Sequence, residues 1–360
     1  MLRKMYMLLM VAVMVFTMTV DGFTFQDVLE TPAVKSKLAA KTLQNSITRA
    51  GARLVSVGWR GHILYSDDQG KSWIQASVPV SSDLTDVCFP SDRKGWAVGH
   101  DGVVLHSSDG GTTWTKQLDG HAAVKTMADY YTNHPLKDPE ANQRLADNVK
   151  VFAQEGADKP FLGVWFDDES SGFIVGTFGL IFHTMNGGKS WEPLMDRVEN
   201  PGLRHLNAVR RIGQDLFICG ERGLVLKFDQ KAGSFRALET PYKGTYFGMT
   251  GKPGNVVVFG MRGNVFLSTN DGSTWKKAAT KLEVGLNGGT VTADGRIVLV
   301  GQSGHILISD DDGKNFNLMK MDKPIPASDV AVVNKDNLVL AGVLGLKLQP
   351  LSKAKAGGSK

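Results

Sequence analysis

From about Leu43 to Gln349 the chain alternates short apolar runs with glycine and polar clusters. Seven times an apolar run ends in Gly, two residues follow, and a second Gly opens another apolar run: Gly58/Gly61, Gly99/Gly102, Gly176/Gly179, Gly220/Gly223, Gly260/Gly263, Gly301/Gly304 and Gly342/Gly345. Two strands joined by a tight glycine turn form a hairpin, because Gly reaches the positive φ that such turns require. The first glycines are 41, 77, 44, 40, 41 and 41 residues apart. A period near 41 has room for four strands, the content of one propeller blade, so the pattern predicts an all-β, seven-bladed β-propeller. In each blade strand A precedes the glycine pair, B ends at the first Gly, C starts at the second, and D follows the next polar turn. Blade two reads Thr85–Phe89, Gly95–Gly99, Gly102–Ser107 and Thr115–Leu118. Blade seven has Asp329–Val333, Leu338–Gly342 and Gly345–Gln349, then Pro350, and no strand D. A segment from about Phe25 to Val34 is therefore expected to pair with Gly345–Gln349 and close the ring.

After strand C comes a recurring phrase, Ser/Thr-x-Asp/Asn-x-Gly-x-Ser/Thr-Trp, the Asp-box. Its structural positions are Asp68 and Trp73, Asp109 and Trp114, Asn186 and Trp191, Asn270 and Trp275, and a fifth copy with Asp311 and Phe316. A degenerate sixth surrounds Asp229, Gly233 and Phe235. The Asp or Asn side chain is expected to cap backbone N–H groups of the C–D turn, and the aromatic ring to drop between blades.

The 77-residue interval exceeds the repeat, and the excess, Gly120–Lys159, changes character. Val124, Met127 and Tyr131 share one helical face, as do Leu145, Val149 and Phe152, with Asn133-His134-Pro135 between them. This spacing predicts a short helical insertion of two helices between blades two and three.

Charge and chain ends refine the picture. The net charge is +5; setting aside Arg3, Lys4 and Asp21 at the start and Lys353, Lys355 and Lys360 at the end leaves +1 for residues 23–350. A nearly neutral propeller argues against nucleic acid as a partner. Arg3-Lys4 followed by an apolar stretch from Met5 to about Val20 reads as a signal peptide over residues 1–22, too short for a comfortable span, with an uncleaved anchor as the alternative. The chain is thus expected to be exported, with a propeller over 23–350 and a flexible basic tail over 351–360. Cys88 and Cys219 sit in apolar runs of separate repeats and read as buried free thiols.

The strings Gly58-Trp59-Arg60-Gly61-His62-Ile63, Gly95-Trp96-Ala97-Val98-Gly99, Gly220-Glu221-Arg222-Gly223 and Pro241-Tyr242-Lys243-Gly244-Thr245 carry a resemblance. They closely resemble the photosystem II stability/assembly factor family, exported or thylakoid-lumen seven-bladed propellers of the BNR/Asp-box type. The resemblance runs from about Leu43 to Gln349. It implies a role in assembling membrane complexes: members in plants and cyanobacteria serve photosynthesis by assisting assembly of the photosystem II reaction centre. Similar chains occur in bacteria that do no photosynthesis. This sequence looks more like that branch, since it lacks a twin-arginine pair and carries the Gly120–Lys159 insertion.

Candidate chemistry points the same way. Asp-boxes also occur in sialidases, but sugar hydrolysis needs two carboxylates across a cleft, or a Tyr nucleophile with an acidic partner and three arginines gripping the substrate. The boxes supply none of this from the C–D rim. Asp167-Asp168-Glu169 and Asp310-Asp311-Asp312 read as solvated turns, and the latter lacks EF-hand spacing, so no metal and no cofactor are expected. No catalytic motif is recognisable among the scattered histidines. Arg60, Arg222 and Arg262 instead occupy one position, immediately before the second Gly, in blades one, four and five. B–C turns and D–A connections share a face, so these arginines should join Arg204, His205, Tyr242 and Lys243, with Trp59, Tyr242 and Tyr246 as apolar anchors. The reading is a non-catalytic, monomeric periplasmic propeller (thylakoid-lumen in a photosynthetic source), membrane-associated, serving as assembly/stability or docking factor for an integral membrane protein complex. The alternative is a sialidase-like glycoside hydrolase or carbohydrate-binding propeller.

Overall fold

The computed structural model describes residues 26–321 and 323–351. The expected signal segment 1–22 and the tail from residue 352 lie outside the described residues. Six antiparallel sheets have four strands in A-B-C-D order and the seventh has three. Blade two comprises Leu84–Cys88, Gly95–Gly99, Val104–Ser107 and Thr115–Leu118. Blade seven comprises Asp329–Asn334, Asn337–Gly342 and Gly345–Pro350. The A strands, Gln44–Ala50, Leu84–Cys88, Phe161–Phe166, Leu206–Ile212, Tyr246–Lys252, Leu286–Val291 and Asp329–Asn334, each neighbour the next, and the seventh neighbours the first. The ring is therefore closed, with A strands around the channel. B strands are buried end to end, as in Gly95–Gly99 and Ile297–Gly301, because both faces of a blade are covered by its neighbours.

The inserted helices are α1 (Gly120–Asn133) and α2 (Pro139–Glu155). Asp119 and Asp138 cap them by accepting from Ala122 N–H and Glu140 N–H, and Pro139 sits in the first turn of α2. Their apolar stripes, Met127 and Tyr131 against Leu145, Val149 and Phe152, join the core of blades two and three.

Each Asp-box ties one turn with the same bonds. Asp68 Oδ1 accepts from Ser72 N–H at 2.9 Å, while Ser66 Oγ accepts from Gly70 N–H at 2.8 Å. The same pair of bonds recurs at Asp109, Asn186, Asn270 and Asp311. Hydrogen bonds from Ser72 hold the Asp68 carboxyl low, at about 2. Gly70 has φ +81, and a Cβ there would lie 2.6 Å from Val339 Cγ2 of blade seven, so the turn approaches its neighbour too closely for any other residue. Trp114, Trp191 and Phe316 are buried between blades, whereas Trp73 and Trp275 remain half-buried.

The closing strand expected from Phe25 to Val34 does not form over the described residues 26–34. Residues 28–36 lie along blade one: Ser81 N–H donates to Val28 O, Ala33 N–H to Val78 O, and Lys35 Nζ to Gln75 O and Ala76 O. Among the described residues blade seven has three strands, and the seam is held by packing and by side chains in the channel. In six blades strand A carries a bulge at one position, occupied by Asn45, Thr85, Leu162, Asn207, Phe247 and Asn287. A bulge re-aims its side chain, and here the polar ones reach the next blade. Asn45 donates to Leu84 O, Thr85 to Phe161 O and Asn207 to Tyr246 O, each at 2.7 Å.

One residue deeper, Asp329 of blade seven accepts from Ser46 Oγ and Ile47 N–H of blade one, both at 3.0 Å. The same Ser46 hydroxyl lies 2.9 Å from Asp86 Oδ1 of blade two, and Asp86 Oδ2 accepts from Val164 N–H of blade three and Arg210 Nη1 of blade four. Five blades are thereby linked through one buried network. Burial, with the neighbouring Asp86 charge adding to it, pushes the Asp329 carboxyl up to about 6 against the hydrogen bonds that favour its ionised form.

Two outcomes follow. Trp114→Ala should destabilise by about 3–5 kcal/mol, the cost of deleting a buried large aromatic, and an unchanged urea midpoint would show that the ring is not part of the core. Because the folded-state pKa of Asp329 is raised, its ionisation opposes folding. Stability should fall as pH rises from about 4 to above 6, and Asp329→Asn should flatten that part of the Tm–pH curve. An unaltered curve in the variant would assign the dependence to another group.

Candidate docking face

The B–C turn of each of the first five blades is a single tight turn whose third residue, just before the second Gly, adopts a left-handed conformation. That residue is Arg60, Asp101, Phe178, Arg222 and Arg262 in turn, with φ between 52° and 58°. The Gly that follows is obligatory: Gly223 has φ +76, and a Cβ would meet Tyr242 O at 1.8 Å. Left-handed backbone is unfavourable for Arg and Phe, where Gly or Asn would serve at lower cost. Bulky side chains are thus held at strained positions and pointed out of the turn.

The arginines in these turns differ from most others in the protein. Arg53, Arg197, Arg210, Arg211, Arg236 and Arg296 each reach a carboxylate, Arg144 pairs with Glu140 along α2, and Arg49 and Arg93 donate to carbonyls. Among the described residues Arg60, Arg204, Arg222 and Arg262 have neither kind of partner, and all four lie in B–C turns or D–A connections. They share one face with the α1–α2 insertion. Arg60 lies over the ring of Trp59, which is 43% exposed, with its carbon 4.6 Å from the ring centre. Phe178 and Met261 are similarly exposed in the turns of blades three and five. A shallow depression beside Arg262 adds Lys277, Lys281 and Glu283.

Other expected residues turn out to hold the face together. Tyr246 is fully buried, packed in the core of blades four and five, and cannot be an exposed anchor; it begins strand A, where the side chain faces a neighbouring blade. Tyr242 is half-buried, packs on Tyr246 and Phe266, and donates its hydroxyl to Met261 O at 3.1 Å. It wedges the D–A connection against the turn that carries Arg262. His205 N–H donates to Glu221 Oε2, and the His205 ring meets Phe178 at 5.0 Å. Lys243 is exposed beside Tyr242.

The channel holds two carboxylates that sequence reading missed as site residues. Asp86 and Asp329 converge on one Ser46 hydroxyl. Asp86 also accepts from Val87 N–H, Val164 N–H and Arg210, and Asp329 from Ile47 and Val330 N–H. Their oxygens are committed to linking blades. The available signal was an acidic residue inside an apolar strand, Leu84-Thr-Asp-Val-Cys88. Cys88 and Cys219 are buried free thiols, both pushed up to about 12 by burial.

A protein-family model described as "Photosynthesis system II assembly factor YCF48" matches residues 65–133 and 149–281, leaving out the α1–α2 turn and the start of α2. Photosystem II stability/assembly factor HCF136, chloroplastic, of Oryza sativa subsp. japonica is 28% identical over 118 residues, 31% of this chain and 28% of the rice protein's length. Among solved structures, "YCF48 bound to D1 peptide" superimposes with TM-score 0.63 at 16% identity, covering 87% of this chain and 94% of that one. YCF48 from Cyanidioschyzon merolae gives 0.62 at 15% identity, covering 86% and 95%. The WD40 β-propeller domain of Doa1 gives 0.59 at 10% identity, covering 91% and 97%. At these identities the structural likenesses speak for the propeller fold alone.

Strain in the B–C turns has a measurable consequence. Arg222→Gly should stabilise by about 0.5–1 kcal/mol, as the left-handed position is relieved at some entropic cost. A lower Tm would mean that the guanidinium makes a structural contact.

Proposed function

Because the chain belongs to the photosynthesis system II assembly factor family matched over residues 65–133 and 149–281, we propose that it is an exported, monomeric, non-catalytic propeller that docks on an integral membrane protein complex to aid its assembly or stability. In this reading residues 1–22 direct export to the periplasm, residues 23–350 form the docking body, and the Lys-rich residues 351–360 add attraction to an anionic surface. The carrying observation is the set of unpartnered arginines on one face. A guanidinium left without a carboxylate or carbonyl, on a backbone position that disfavours Arg, gives nothing evident to the fold and is available to a partner's carboxylates or backbone. Trp59, Phe178 and Met261 supply apolar area between the charges. One structural relative, YCF48, is bound to a D1 peptide, which is compatible with a face that holds a peptide segment of a membrane protein. Among the described residues no helix is long and apolar enough to cross a membrane.

Changing Arg60, Arg222 and Arg262 together to Ala should move the melting temperature by no more than about two degrees, since exposed unpaired groups contribute little stability. Recovery of membrane subunits from detergent-solubilised membranes should fall by roughly tenfold or more, and the salt dependence shown by the parent should largely disappear. An unfolded variant, or one that recovers its partner as the parent does, contradicts the proposal.

A further inference from the structure

Among the described residues blade seven ends at strand C, Gly345–Pro350, which in the other six blades is covered by a strand D. The parity of its ladder is fixed by the bond from Leu351 N–H to Asp336 O, continuous with the pairings Gln349↔Leu338 and Lys347↔Leu340. In an antiparallel ladder alternate residues bond to the same neighbour, so Leu346 and Leu348 direct N–H and C=O outward. Among the described residues these groups have no partner. The segment expected in this slot, Phe25 to Val34, lies in its described part within residues 28–36 that bond along blade one instead. Leu348, Val343 and Leu344 are exposed beside this edge. Lys347 on the strand and Lys41, whose backbone abuts Gly345, are exposed and form no ion pair among the described residues.

We propose that this edge is a second docking site, where an extended acidic segment of a partner protein adds as the missing fourth strand. Outward N–H and C=O groups of Leu346 and Leu348 supply register, and the exposed Leu348 side chain favours an apolar residue opposite it on the incoming strand. The two lysines select acidic residues between them. The same charges oppose edge-to-edge pairing with a second copy, which would bring the Lys347 side chains of both chains to one seam. The site is separate from the arginine face and does not depend on it.

The experiment uses the intact protein and a labelled nine-residue peptide of alternating valine and glutamate, with a valine/lysine peptide as control. Fluorescence anisotropy should show saturable binding of the glutamate peptide, at least about tenfold tighter than the lysine peptide. Amide exchange at Leu346 and Leu348 should slow when it binds. Leu348→Pro, which removes one outward N–H at an edge position that tolerates proline, should abolish binding with little change in Tm. The double change Lys41→Glu, Lys347→Glu should reverse the peptide preference. The Arg60/Arg222/Arg262 triple variant should bind the peptide as the parent does, so failure of the arginine face and failure of this edge are distinguishable. Binding lost in the arginine variant but kept in Leu348→Pro would overturn the proposal. So would protection of Leu346 and Leu348 in the free protein that vanishes on deleting residues 352–360, which would give the edge to the chain's own tail. A dimer in sedimentation that Leu348→Pro dissolves would give it to a second copy.

Discussion

A ring of separate sheets is stable only if the last sheet holds the first, and many propellers meet this by letting one blade borrow a strand across the seam. Here no strand crosses in the described residues. The seam depends on a buried carboxyl group: Asp329 of blade seven accepts from the Ser46 hydroxyl and Ile47 N–H of blade one, and Ser46 passes the link to Asp86. Apolar packing of Val339 and Ala341 with Ile47 and Leu54 seals the same interface. A buried carboxylate is costly unless its lone pairs are used, which explains why backbone N–H groups and a hydroxyl surround both aspartates and why Arg210 reaches Asp86 past blade three.

Closure of this kind sets the geometry of both proposed docking surfaces. Bulges at one position in the A strands aim Asn45, Thr85, Asn207 and Asn287 at the next blade, tying the blades' angular positions and hence the circle of B–C turns. The turns in turn display Arg60, Arg222 and Arg262 with a spread set by the ring, not by flexible loops. Because residues 28–36 bond along blade one and not to blade seven, the edge of Gly345–Pro350 is open among the described residues. One architectural choice, a side-chain seam in place of a strand seam, thus underlies both the arginine face and the free edge.

Much of this was readable from the chain. Paired glycines and Asp-boxes located every blade, because both motifs encode turns whose φ values few residues accept, and apolar spacing located α1 and α2. The closing strand is misplaced for a physical reason: nothing in the composition of residues 25–34 distinguishes pairing with blade seven from bonding along blade one, and the turn that Asp27 closes over residues 27–31 leaves no strand there. Tyr246 departs from its expected place because an aromatic near a basic turn looks the same whether its ring enters the core or leaves it, and only strand phase decides. The channel network was hidden because Asp86, Arg210 and Asp329 lie far apart in sequence. Asn45, Asn207 and Asn287 recur just after the first residue of their A strands, a signal that needs the bulge to be interpreted.

The central claim is that the face bearing the B–C turns, and not the Asp-box face, meets the membrane partner. Site-specific photocrosslinking in intact cells tests it most directly, with the probe placed at Trp59 or Met261 on one face and at Met185 in an Asp-box turn on the other. The account predicts adducts with an integral membrane subunit from Trp59 and Met261 and none from Met185. Adducts from Met185 alone would place the partner on the opposite face and contradict it.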